Sequence, residues 1–307
     1  MGTQRVGFIG LGGMGGGMAC RLAESGYEIA VYNRTKSKGD EAASLGARLA
    51  ESPADAARDA DVVMLSLANH EVVESMLRGD DGVFSTLKPG AYICDMSTVP
   101  PDFAKALSAE AAAAGFHALD TCVYGAPFHA RSGDLRVMVG GDETDFEAVL
   151  PVLESIGKQV TYLGPSGMGA YMKLVLNLLM GVQMPALAEA IVFGEKAGLP
   201  REKILEMING TGYSSPVMNL RCGIIGRRDF DNALFKLELM RKDMKLVSSE
   251  AARMGVPMPV SEAAHQMLTA ARAQGLGALD VGAVIAFQER LTGMDDYPWP
   301  GPSASGE

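Results

Sequence analysis

A chain of 307 residues, 48% hydrophobic and 21% charged, has the composition of a soluble globular protein long enough for two domains. Its 27 basic and 37 acidic residues leave a net charge of −10, which argues against nucleic acid or an anionic membrane as a main partner and confines any basic site to a local patch. Cys20, Cys94, Cys122 and Cys222 form no C-x-x-C pair and have no histidine at ligand spacing, so no metal site is expected and the thiols read as reduced and buried, in a cytoplasmic protein.

The opening "MGTQRVGFIG" runs into an apolar strand pattern without the regions of a signal peptide, so no export is expected. "RVGFIG" is followed by a helix-period segment, Met14, Met18 and Leu22, and then by "EIAVYN", "DVVMLSL", "AYICDMS", "HALDTCV", "LRVMVGG" and "QVTYL". Strands interleaved with helical patterns predict β-α-β units, a mostly parallel sheet and an α/β class. A Rossmann-like, doubly wound domain is expected over residues 1–163.

Within its first unit, Gly10-Leu11-Gly12-Gly13-Met14 opens a G-x-G-x-x-G pattern (Gly10, Gly12, Gly15) between strand and helix. That context suits a dinucleotide: a tight turn, a bare backbone for the pyrophosphate, close helix packing, and N–H donors at the helix start. At the end of the second strand an NAD enzyme usually carries Asp or Glu for the ribose, whereas this chain has Asn33-Arg34-Thr35. An arginine with amide and hydroxyl donors suits a 2′-phosphate, so NADP is expected ahead of NAD. The bland alternative is that Arg34 is a solvated loop charge stacking on the adenine.

After "GPSGMG" the strand signal gives way to helices separated by "GLPRE", "NGTGYSSP", "GVPMP" and "AQGLGA". An all-helical second domain is expected over residues 164–293, joined to the first by a long interdomain helix. The ending "MDDYPWPGPSASGE", residues 294–307, reads as a disordered tail. The apolar run from Tyr171 to Phe193 is about long enough to cross a bilayer, which takes roughly 20 residues. It also carries Lys173, Asn177, Gln183, Pro185 and Glu189 with no basic flank, so a buried core helix is expected and no membrane partner.

Lys173 and Asn177 lie one turn apart on that helix, and Gly181 continues the face with no side chain to obstruct a ligand. Desolvation disfavours a charged lysine, which is how a lysine becomes a proton donor and acceptor near neutral pH. Alternatively it is a surface lysine whose stem covers apolar area. Beside a dinucleotide domain, at a domain junction, the functional reading is preferred.

Together these segments resemble the β-hydroxyacid dehydrogenase family, over about residues 5 to 293. "GFIGLGGMG" looks like its opening fingerprint, and "DMSTVPP" is similar to a segment whose threonine, here Thr98, meets the cofactor. Leu67-Ala68 stands where a further loop touches the nucleotide, with Ala68 in place of the usual proline. "GMGAYMKLVLN" resembles the catalytic helix, which implies Lys173 as catalytic residue with Asn177 beside it. With Asn33-Arg34-Thr35, this is closest in motifs to the NADPH-dependent glyoxylate/succinic semialdehyde reductases. "FKLELMRKDMKL" is similar to a segment in which Phe235 and Asp243 close the substrate site and Lys242 approaches the cofactor.

"DTCVYGAPFHARSGDL" departs from the family pattern: Cys122, Tyr124 and Ala126 replace a proline, a serine and a glycine, while Asp120 and Gly125 keep register. Tyr124, Gly125 and Ala126 are therefore the expected substrate contacts, with the carboxylate site either rebuilt around Tyr124 O–H and Gly125 N–H or suited to a different substrate. His129 and Arg131 are candidates for a missing positive partner. The resemblance implies hydride transfer between NADP(H) and a small hydroxyacid or aldehyde acid, with Lys173 as general acid/base, in a homodimer or homotetramer. Two rivals stand beside it: an NADPH-dependent imine reductase, although such enzymes commonly lack a lysine here, and a non-catalytic cofactor-binding scaffold.

Overall fold

Strand β1 (Arg5–Ile9) lies in the middle of the sheet because Val6, Phe8 and Ile9 are apolar and find cover on both faces, where they are almost fully buried. A computed structural model describes residues 4–294, so the expected tail, apart from Met294, lies outside the described residues. Seven further strands follow: β2 (Glu28–Tyr32), β3 (Arg48–Leu49), β4 (Val62–Leu65), β5 (Tyr92–Asp95), β6 (His117–Tyr124), β7 (Leu135–Gly140) and β8 (Gly157–Tyr162). Their order is β3-β2-β1-β4-β5-β6-β7-β8. All neighbours are parallel except β6 and β7. The segment joining those two is too short for a parallel crossover, which needs a dozen or more residues.

Helices α1 (Gly13–Glu24), α2 (Asp40–Ser44), α3 (Pro53–Ala57), α4 (His70–Leu77), α5 (Pro101–Ala113), α6 (Pro127–Ser132) and α7 (Glu143–Ile156) connect the strands. Met18 and Leu22 of α1, predicted on one face by their spacing, are fully buried in a core with Phe8, Met64, Leu153 and Ile156. The doubly wound class is thus observed, and the loops following β1, β2, β4 and β5 gather at the carboxyl ends of the parallel strands, where ligands of such sheets bind.

The second unit holds α8 (Met168–Lys196) beyond its first turns, α9 (Arg201–Asn209), α10 (Pro216–Arg227), α11 (Leu237–Met254), α12 (Pro259–Ala273) and α13 (Val284–Leu291). Its own core includes Met184, Leu187, Ile191, Phe230, Met240, Met244 and Leu268. By their contacts the compact units divide after Lys173. The physical reason is that the start of α8 is fastened to β6 by Asp120 and Val123. Among the described residues α8 is the one helix long and apolar enough to cross a bilayer, and Asn177, Gly181, Met184, Ala188 and Ile191 on one of its sides are buried.

Candidate active site

Gly10 ends β1 at φ +97°, and a Cβ there would lie 2.3 Å from Ser66 O, so only glycine makes this turn. A Cβ at Gly15 would lie 1.9 Å from Gly10 O, which is how closely α1 packs on the loop. Around Gly12 the space is open: a Cβ there would meet nothing within 4 Å. Helix α1 has no side-chain cap and no acidic residue in its first turn, so its first N–H groups are unopposed donors. Bare backbone, open approach and uncapped helix start fit a pyrophosphate.

Asn33, expected among the 2′-phosphate donors, bonds to two backbone groups. Its Oδ1 accepts from Leu11 N at 3.0 Å and its Nδ2 donates to Thr35 O at 3.0 Å. Both amide atoms thus tie the fingerprint loop to the turn after β2, and Asn33 acts by shaping the site. Arg34 and Thr35 stand exposed beyond it, with Lys38, a cation the sequence reading passed over, exposed in the same turn.

The next two loops are locked together. Leu67 N donates to Ser97 Oγ at 3.0 Å, and Ser97 N donates to Asp95 Oδ1 at 2.9 Å. Cys122, which replaces the family's proline, directs its thiol to Ser97 O at 3.6 Å and so supports the loop that carries Thr98. Ala68 is exposed and Thr98 half-buried.

Strand β6 ends in the candidate substrate segment. Lys173 Nζ donates to Val123 O at 2.8 Å and lies 5.9 Å from the centroid of the half-buried Tyr124 ring, within reach of a cation–π contact. Gly125, at φ +153°, leaves no room for a side chain, since a Cβ would lie 2.7 Å from Leu135 Cδ2. Ala126 is buried and its N–H donates to His129 Nδ1 at 3.0 Å, so it is not a free donor for a substrate carboxylate. The same bond commits His129 to shaping the turn. Arg131 is neutralised by Glu24, with two bonds of 2.6 Å, and by Glu41 at 3.1 Å, and those carboxylates raise its already high pKa. Both side chains are thus engaged by neighbouring groups of the protein.

In the helical unit Asn177 is fully buried, and its Nδ2 donates to Asp243 Oδ2 at 2.6 Å. Asp243 also pairs with Lys242 Nζ at 3.0 Å through Oδ1. The buried Asp243 carboxylate thus anchors Asn177. Phe235 is half-buried just before α11, and Asp280, itself held by a buried pairing with Arg221, accepts its N–H at 3.2 Å. Gly181 does not leave an open face for a ligand: a Cβ there would lie 2.3 Å from Met244 Sδ.

Two family models cover almost the whole described chain: the NAD-binding domain of 6-phosphogluconate dehydrogenase over residues 5–164, and the NAD-binding domain of NADP-dependent 3-hydroxyisobutyrate dehydrogenase over residues 167–288. The chain is 36% identical over 291 residues to 2-(hydroxymethyl)glutarate dehydrogenase of Eubacterium barkeri, covering 94% of this chain and 96% of that one. It is 33% identical over 282 residues to glyoxylate/succinic semialdehyde reductase 1 of Arabidopsis thaliana, covering 92% and 97%. A solved structure of 3-hydroxyisobutyrate dehydrogenase from Mycobacterium tuberculosis with L-serine superposes at a TM-score of 0.82, with 29% identity over 94% of this chain and 99% of that one. The chain belongs to the β-hydroxyacid dehydrogenase family and is an NAD(P)-dependent oxidoreductase acting on CH–OH groups.

Proposed function

We propose that the chain transfers a hydride between NADP(H) and a small β-hydroxyacid or aldehyde acid, with Lys173 as general acid/base. The observation that carries the reading is the placement of Lys173 Nζ, 2.8 Å from Val123 O and against the Tyr124 ring at the carboxyl end of β6. One ammonium N–H is engaged by that carbonyl, which holds the ammonium at the end of β6. When bound, the nicotinamide supplies or takes the hydride; the chain's own residues bind, orient and manage the proton. In reduction Lys173 protonates the developing alkoxide, and in oxidation it removes the hydroxyl proton. Asn177, itself held by Asp243, is assigned to fix the Lys173 ammonium, and Phe235 and Lys242 to close the site over substrate and cofactor.

Gly10 to Met14, Leu67, Ala68 and Thr98 are the proposed nucleotide contacts. Preference for NADP is supported by Arg34, exposed at the end of β2 where an acidic residue would select NAD, and by the NADP-dependent description of the matched family. A cytoplasmic location is proposed from four buried cysteines, none of which is joined in a disulfide.

The test is turnover of NADPH and NADH with glyoxylate, succinic semialdehyde, bulkier aldehyde acids and a cyclic imine. Lys173→Ala is expected to lose on the order of 10² to 10⁴ in kcat while still binding NADPH. Near-normal turnover in that variant removes Lys173 from the mechanism. Consumption with the imine alone would replace the reading by imine reduction, and no turnover with any substrate favours the scaffold.

A further inference from the structure

Asp120 has no part in the chemistry just proposed, yet its carboxylate is the anchor of α8. Its Oδ1 accepts from Gly167 N at 2.8 Å and its Oδ2 from Ala170 N at 2.8 Å, while Gly169 N is also directed at it. The first amides of a helix have no acceptor within the helix, and a carboxylate beside them also faces the positive end of the macrodipole. Glycines make the room: a Cβ at Gly140 would lie 2.8 Å from both carboxylate oxygens, and one at Gly169 would lie 2.6 Å from Asp120 O and Met138 O. Further along the same strand, Val123 O receives Lys173 Nζ. Strand β6 therefore grips α8 at two places, its first turn and its lysine.

We propose that Asp120 is a positioning residue that fixes the rotation and register of α8, so that Lys173 meets Val123 O and the substrate oxygen. A helix turns about 100° and rises about 1.5 Å per residue, so a slip of one residue swings Lys173 away from the end of β6. One hydrogen bond leaves that rotation loose; two oxygens on amides of the same turn fix it. The inference rests on the reading of Lys173 as the acid/base.

Burial pushes the Asp120 carboxyl up to about 6, against the lowering effect of the amides. The elements packed around β6 carry Asp95, the register partner of Asp120 on β5; Lys105 of α5, paired with Asp102, and Glu110 of the same helix; Arg136 of β7; Glu143, Glu147 and Glu154 of α7; and Lys173 on α8 itself. The His117–Asp145 pair sits at the far end of β6. On protonation one oxygen turns from acceptor to donor in a cradle made of N–H donors, and the anchor loses its two-point hold.

The experiment is the pH profile of kcat for the full chain, Asp120→Asn and Lys173→Ala. Asp120→Asn keeps the shape but sets an NH₂ donor against the helix amides. It is expected to lower kcat by between about 10- and 100-fold with the KM for NADPH within about twofold, the loss of a misplaced catalytic group. The unaltered enzyme is expected to show an acid limb near pH 6 that this variant lacks. Near-normal turnover in Lys173→Ala defeats the reading of the lysine. An inactive Lys173→Ala beside an Asp120→Asn with wild-type kcat and acid limb overturns the positioning role alone. Should Asp120→Asn not fold, the ¹³Cε resonance of Lys173 in the labelled wild-type protein decides: a shift with a midpoint near pH 6 supports the coupling, and a flat response across pH 5–7.5 overturns it.

Discussion

Tyr124 ends β6 with its ring 5.9 Å from Lys173 Nζ, in the position where relatives are expected to carry serine. Because Ala126 N–H is taken by His129 and Arg131 by two carboxylates, the Tyr124 hydroxyl and the N–H of the exposed Gly125 are the groups in this loop assigned to an acidic substrate. Tyr124→Phe keeps the ring against the ammonium and removes the hydroxyl. It is expected to raise the KM for an aldehyde acid about tenfold with kcat little changed, since a hydrogen bond to a charged group contributes roughly 1.5 kcal/mol or more. Steady-state kinetics checks this; an unchanged KM assigns the carboxylate to other donors. Asn33, His129 and Arg131 mark how far single residues can be read. Their types and loops were legible in the sequence, but the atoms they hold were not, because Leu11 is 22 positions from Asn33 and Glu24 is 107 from Arg131. Polar side chains are claimed by whichever partner the fold brings near, and spacing along the chain is silent on that.

At the scale of elements, α8 and α11 show why a glycine in a helix has two meanings. Gly181 continues the face of Lys173 and Asn177, which in sequence suggests room for a ligand, yet its missing Cβ is where Met244 packs, with Met240 Sδ 3.0 Å from the same point. Both methionines are fully buried, so a large side chain has nowhere to go. Gly181→Leu is expected to destabilise the helical unit by about 1–3 kcal/mol through overpacking. Thermal unfolding should show a lowered midpoint while NADP titration of the native protein is unaffected; an unchanged midpoint would mean that the helices are looser there. The long apolar strands of the first unit were legible because buried parallel strands read as continuous hydrophobic runs. The two-residue β3, with Arg48 and Leu49 both exposed, carries no such run and is defined by its pairing with β2 alone.

At the scale of the whole molecule, α8 is apolar on more sides than its own fold buries. Val175, Leu179, Ala186, Ala190 and Phe193 recur at three- to seven-residue steps and share one exposed stripe, opposite the buried side that holds Asn177, Met184 and Ala188. Phe193 is 79% exposed, and Val175 and Leu179 more than half so. Burying each large side chain contributes about 1.5–3 kcal/mol, so a stripe of this length is better matched to another apolar surface than to water. The proposed occupant is the same stripe of a second copy, because a helix face that pairs with itself about a two-fold axis closes into a dimer with no further surface needed. Sedimentation equilibrium should then report at least twice the 32.3 kDa chain mass. Leu179→Asp combined with Phe193→Asp should reduce it to the monomer with the helical circular dichroism retained, since neither side chain belongs to the buried core. A wild-type chain that sediments as a monomer at all concentrations defeats the pairing. A double variant that stays oligomeric moves the interface to another face of the molecule.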